Sequence, residues 1–122
     1  MLLLMFAGGA VVNTAPVVEA GPTDLGTVGV ALTLQGSVTD DGLPLPPTLT
    51  SLWTVDSGPG TVTFVDDTNP TTDATFDTAG SYVLRLTGDD TALTAFDTVT
   101  IIISDPPSSG TNWLKWVQFL WH

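Results

Sequence analysis

Residues 79–90, AGSYVLRLTGDD, constrain this chain more than any other stretch. Read at the two-residue period of a β-strand, Tyr82, Leu84 and Leu86 share one face, while Val83, Arg85 and Thr87 share the other. Gly80 stands just before the run and Gly88-Asp89-Asp90 closes it, so residues that favour turns bound the strand at both ends. The pattern is that of a strand with one side in a core and one side in water.

The rest of the chain supplies its neighbours. Residues 13–20 read as a first strand with Pro16 at an edge position, and 21–29 as a Gly/Pro/Thr-rich connection with room for a second short edge piece. Val30, Leu32, Leu34 and Val38 alternate with Ala31, Thr33 and Gln35, and Leu49, Ser51, Trp53 and Val55 alternate toward a core. Trp53, a large aromatic at mid-strand, is the expected packing anchor. Residues 61–65 form a short strand, Ala74 and Phe76 supply another, and Val99, Ile101 and Ile103 point inward from a last strand over 96–104. The loops between them, TDDGLPLPP, SGPG and DDTNP, are dense in turn residues. About seven short strands separated by turns predict an all-β fold, a seven-stranded antiparallel immunoglobulin-like β-sandwich over residues 13–105.

Composition excludes several functions. The chain has 122 residues, enough for one core. It has no Cys, so no disulfide frame, thiol nucleophile or zinc knot. Two Lys plus Arg against 13 Asp plus Glu give a net charge of −11, which leaves no basic face for nucleic acid. The acids are nearly all Asp and sit in turns; without cationic partners they are simply solvated, adapted to salt, or ready for a divalent cation. Thr makes up about one residue in six, which with Val fits pleated strands. Catalysis finds no support: the only His is His122, no Ser sits in a nucleophile elbow, and HExxH is missing. With so many Asp in turns, a chance pair resembling a glycosidase acid and base is unavoidable. The chain is expected not to be an enzyme.

Both ends differ in kind from the middle. Residues 1–12, MLLLMFAGGAVV, are an apolar arm or the remnant of a secretion signal without its positive start, and are too short to cross a bilayer as a helix. A linker over 106–112 leads to residues 113–122, where Asn112 can cap a short aromatic helix with Lys115, Gln118 and His122 on one stripe. Leu3, Leu4, Phe6, Trp113, Trp116, Leu120 and Trp121 are the expected assembly residues, through contact with a neighbouring subunit or, without spanning it, with a membrane interface.

The middle of the chain resembles the polycystic-kidney-disease (PKD) type of immunoglobulin-like domain, on residues 13–104. The carriers are NTAPVVEAGP, LTLQGSVTDDG, the Trp of SLWTVDSGPGTVTF, AGSYVLRLTGDD and DTVTIII. Tyr82 stands where such sandwiches bury a ring and bond its hydroxyl to backbone at the preceding corner. The common WDFGDG sequence is replaced here by Trp53-Thr54-Val55-Asp56-Ser57-Gly58 followed by Pro59-Gly60, which is similar to the branch with SGPG after the Trp. The resemblance implies a non-enzymatic spacer, adhesion unit or accessory domain at the cell surface or outside the cell, and some relatives bind calcium.

Alternating strand directions would bring Asn13, Asp40, Asp41, Asp89 and Asp90 to one end of the sandwich, a set of hard oxygen donors suited to calcium. The competing reading is ordinary Asx-turn chemistry. Two functions follow. The first is a structural or adhesion module that self-assembles head to tail through its apolar termini into a homo-oligomer, filament or surface array. The alternative is a calcium-dependent carbohydrate-binding module of a multidomain surface protein, with glycans as partners.

Overall fold

The computed structural model describes residues 12–107. Nine strands run in chain order: β1 (Val17–Glu19), β2 (Asp24–Thr27), β3 (Leu32–Thr33), β4 (Ser37–Thr39), β5 (Thr50–Ser57), β6 (Val62–Phe64), β7 (Asp73–Phe76), β8 (Gly80–Asp89) and β9 (Thr94–Ser104). They make a four-stranded sheet in the order β2-β9-β8-β5, a three-stranded sheet β3-β7-β6, and a two-stranded ladder β1-β4. The first two face one another as the layers of a sandwich.

The core lies between them. Tyr82, Leu84 and Leu86 from β8, and Val99, Ile101 and Ile103 from β9, meet Ala74 and Phe76 of β7, with Trp53, Leu34 and Ala20 completing the cluster. The alternation read in residues 79–90 is realised without a slip: β8 is buried at every even position from Tyr82. A one-residue shift of register would have turned that whole set to solvent, so burial of one face fixes the pairing. Phe76 and Tyr82 pack edge to face, with ring centroids 4.8 Å apart. The Tyr82 hydroxyl donates to the Thr78 carbonyl at 2.6 Å, closing the corner that leads into β8. Trp53 is buried at 1% exposure, and its Nε1 donates to the Pro70 carbonyl at 3.0 Å.

Three details depart from the sequence reading. The strand expected over 30–38 is two strands in different sheets. Val30 lies in the turn after β2 and is exposed, because its N–H donates back to Thr27 O. Past β3 the chain leaves β7: Leu34 N and Gly36 N donate to Thr72 O and Pro70 O, and β4 then pairs with β1. Leu49 and Val55 are 41% and 40% exposed rather than in the core. The eight-residue β5 is the edge strand of its sheet and faces a sheet of two- to four-residue strands, so only its centre at Trp53 is covered. A register break between Val55 and Ser57 then ends the alternation. Finally, one pairing is parallel: β2, the short edge piece in 21–29, runs alongside β9 from Asp24↔Ile101 to Thr27↔Ser104.

The described chain starts at one end of the sandwich and leaves from the other, since Asp89↔Thr94 closes the β8–β9 hairpin near the start and Gly80↔Ile103 lies at the far end. The expected apolar arm over 1–12 and aromatic helix over 113–122 fall outside the described residues, Val12 excepted.

Candidate functional site

The end of the sandwich beside the β8–β9 hairpin is built by the β1-β4 ladder. Its register, Val17↔Thr39 to Glu19↔Ser37, makes residues before Val17 run alongside those after Thr39. Thr14 therefore meets Asp41: Thr14 N and Thr14 Oγ1 donate to Asp41 Oδ2 at 2.9 and 2.8 Å. The ladder lies on β8 because position 88 is Gly; a Cβ there would come 2.7 Å from Val38 Cγ1 and 3.0 Å from Val18 Cγ2. That close approach carries Asn13 and the 40–42 loop to the end of β8, where Asp90 sits.

Among the described residues Asp90 is the one carboxylate with 0% exposure. One oxygen is committed to structure, since Oδ1 accepts from Ala92 N at 2.8 Å and Leu93 N at 2.7 Å and shapes the hairpin turn. The other, Oδ2, is buried with no partner, as are Asn13 Oδ1 and Nδ2 and Asp40 Oδ1. Burial works against the charge on Asp90. The backbone donors of Leu93 and Ala92, with help from the Asn13 amide, which is near but outside hydrogen-bond geometry, outweigh it and hold the carboxyl below an aspartate's ordinary 3.8, while the nearby charge of Asp41 pushes the other way. Asp41 is held down in the same sense, first by Thr14 N, then by Leu43 N and the Thr14 hydroxyl. Both groups are ionised at neutral pH.

Of the five residues expected to converge, Asn13 and Asp41 are both neighbours of Asp90. Asp40 keeps one oxygen on Gly42 N at 2.9 Å and leaves the other buried and free. Asp89 does not join them. It falls at an odd position of β8, on the opposite face from Asp90, and its Oδ1 accepts from Thr91 N. The parity of Tyr82, Leu84 and Leu86, carried on to position 90, was the signal in the sequence that separates the two. Thr14, which no motif marked, fixes Asp41 with two donors.

A buried oxygen without a donor costs free energy, and three such oxygens from Asn13, Asp40 and Asp90 are the chemistry a hard cation satisfies. Among the described residues no three His, Cys, Asp or Glu come together closely enough to hold a metal by themselves. An ion here would need the Asn13 amide oxygen and water or backbone oxygens besides the carboxylates. That donor set fits calcium, which takes six to eight oxygens in irregular geometry, and does not fit zinc. When bound, calcium would supply charge neutralisation and a tie between the chain start, the β4 loop and the β8–β9 hairpin.

Other surfaces were open to a glycan reading. The only Trp among the described residues is buried, and so is the only Tyr of the chain. Phe96 is exposed, but the Arg85 guanidinium lies over its ring at 3.8 Å. An open groove of about 480 Å³ runs past Val38, Leu49, Thr50, Ser51, Thr68 and Pro70, lined by aliphatic and hydroxyl groups with no aromatic platform.

An immunoglobulin-like sandwich with a tyrosine-closed corner is consistent with a structural or adhesion module. A family model for the PKD domain of K319L-like proteins matches residues 27–103, well over half of the chain, and the chain belongs to that family. Solved structures agree. The PKD domain of the KIAA 1837 protein is 25% identical over 84% of this chain and 100% of that one, with a TM-score of 0.56. The PKD domain of human KIAA0319 is 20% identical over 87% of this chain and 98% of its own, with a TM-score of 0.60. Drosophila N-cadherin EC1-3 is 13% identical, covering 77% of this chain and 35% of the cadherin, with a TM-score of 0.55, a likeness of fold. Domains of this family are generally non-catalytic.

Proposed function

We propose that this chain is a non-enzymatic structural or adhesion module working outside the cell or at its surface, with one end locked by a bound calcium ion. The observation that supports it most is Asp90: a fully buried carboxylate with one oxygen holding the β8–β9 turn and the other unpartnered, beside Asn13 and Asp41. In an array of modules, force passes from chain start to chain end. A tie between Asn13 and the end of β8 would stiffen the point where load enters. Head-to-tail assembly through the apolar segments at 1–12 and 113–122 is the finer part of this reading, supported by their sequence.

Calcium sites of extracellular modules have dissociation constants of about 10⁻⁴ to 10⁻³ M. At ~10 mM calcium such a site stabilises the fold by about 1.4–2.7 kcal/mol. The test compares thermal unfolding with calcium, with magnesium and with chelator. Calcium is expected to raise the midpoint by several degrees in the wild type and not in Asp90→Asn. Coincident curves at ~10 mM calcium would remove the ion from the proposal. Electron microscopy of the purified full chain tests assembly; dispersed particles at high concentration speak against it.

A further inference from the structure

The groove beside Val38 is a fork between two segments that part. The β3–β7 ladder runs on past its last strand pair, with Leu34 N donating to Thr72 O at 2.8 Å and Gly36 N to Pro70 O at 3.1 Å. Beyond Gly36 its two sides diverge. β4 turns to pair with β1, where Val38 packs on Gly88. The 68–70 turn instead follows β5, since Ser51 Oγ donates to Thr68 O at 2.7 Å and Trp53 Nε1 to Pro70 O. Between them lie the groove's about 480 Å³, with Val38 as one wall, Thr68 and Pro70 as the other, and Leu49, Thr50 and Ser51 as floor. The Gly36–Pro70 bond closes its inner end. Three aliphatic and three hydroxyl side chains line it, and among the described residues none of the chain's 13 acids does. Leu34 and Gly36 direct their N–H groups to this side, and the two-residue period makes Val38 the next to do so. Among the described residues β4 has no strand there.

We infer that residues 2–6 of the same chain, LLLMF, lie in this groove as an extended strand added to the free side of β4. Chemistry names the class of occupant. A groove with no charge and no aromatic platform suits neither an ion nor a sugar, whereas its volume falls in the range of about 300–1,000 Å³ of mostly apolar ligand sites. Residues 1–12 carry no charged or polar side chain. Position then selects this segment over the other apolar one. Asn13 is a neighbour of Asp90, and Asp89 pairs with Thr50 in the groove floor. Steps of about 3.8 Å along the chain and about 5 Å across a strand pair put Asn13 roughly 10–15 Å from Thr50. Residues 7–12 span up to about 20 Å when extended, and Gly8-Gly9 permits the bend into the groove. Residues 113–122 follow β9, which leaves from the opposite end of the sandwich. A short flexible tether gives an effective concentration on the order of millimolar, so in dilute solution the chain's own arm wins over a neighbour's. The inference goes beyond the assembly reading: a docked arm is withheld from neighbours, and assembly through residues 1–12 begins with its release.

The chain has no Cys, so cross-linking reads the contact directly. In the full chain at ~1 μM, far below the effective concentration of a tethered arm, Leu3→Cys or Leu4→Cys is combined with Leu49→Cys in the groove. The controls replace Leu49→Cys by Val65→Cys, 80% exposed and outside the groove. A strand puts Leu3 and Leu4 on opposite sides, so under mild oxidation one of the two groove pairs should close an intrachain disulfide at least tenfold faster than its control. A second measurement needs no Cys. Hydrogen exchange at Val38 N should quicken at least tenfold when Leu3→Asp and Leu4→Asp are combined, while the amides of buried Leu84 and Ile101 keep their rates and report an intact fold. Groove pairs no faster than their controls overturn the inference, as does Val38 exchange indifferent to the arm substitutions. Covalent dimers at ~1 μM put a second copy's arm in the groove and equally overturn it. So does a mature form that lacks residues 1–12.

Discussion

Replacing Tyr82 with Phe isolates a single hydrogen bond in this fold. The ring is fully buried, packs at 4.8 Å from Phe76, and would stay in place, since only the oxygen is removed. What goes is the 2.6 Å bond from the hydroxyl to the Thr78 carbonyl. That carbonyl lies at the corner between β7 and β8, on a residue that is itself exposed, so water can reach it once the hydroxyl is gone. The cost is therefore that of the bond, about 0.5–1.5 kcal/mol. For a domain of this size each kcal/mol moves the melting midpoint by roughly 4–8 °C, so a fall of about 2–12 °C is expected. Tyr82→Ala also opens a ring-sized cavity and should cost about 3–5 kcal/mol or prevent folding. Urea titration is the assay. The midpoint should fall with an unchanged slope in Tyr82→Phe, because the same surface is exposed on unfolding. If wild type and Tyr82→Phe unfold within ~0.3 kcal/mol of one another, the corner bond does not hold β8 in place and the reasoning fails.

Gly36→Ala should destabilise by about 1–3 kcal/mol through overpacking, because its Cβ would come 2.6 Å from Leu86 Cδ2, 2.8 Å from Pro70 O and 2.9 Å from Trp53 Cζ2; denaturant titration reads it directly. Asp41, Asp66, Asp77 and Asp90 have carboxyls held below 3.8 by hydrogen bonds, so their contribution to stability is fully present above that value and is lost as pH falls through the lowered ones. Melting midpoints in chelator should thus be nearly flat from pH 7 to 5 and drop below about pH 4. Asp41→Asn should make that drop shallower. Asp56→Ala breaks a solvent-screened pair whose side chains are 34% and 31% exposed, and should change stability by less than about 1 kcal/mol; a larger loss by urea titration would mean that Arg85 is doing more than balancing charge.

Local alternation was sufficient for the strands that span the core. Tyr82, Leu84, Leu86, Ala74, Phe76, Val99, Ile101 and Ile103 are buried where the two-residue period puts them. A period carries no information about how far the opposing layer extends, and Leu49 and Val55 show the consequence. Their side of β5 has nothing above it beyond Trp53, because β6 and β7 are short. The acidic end was legible as a set of loop residues brought to one end, but not in which of them turn inward. Asp89 and Asp90 are adjacent and chemically identical, and only continuing the strand's parity past its last paired residue turns one inward.

By itself the sequence determined the layer count, the central strand and its buried face, and the Trp and Tyr that anchor the core, because each depends on residue type and short-range spacing. The tertiary structure alone decided three things. It decided that β2 pairs parallel with β9 and that the chain after β3 changes sheets. It decided that Asp90, and not Asp89, turns inward toward Asn13 and Asp41. These depend on contacts between segments dozens of residues apart, selected by where a missing side chain at Gly88 lets one ladder lie on another, and no local pattern encodes such a distance.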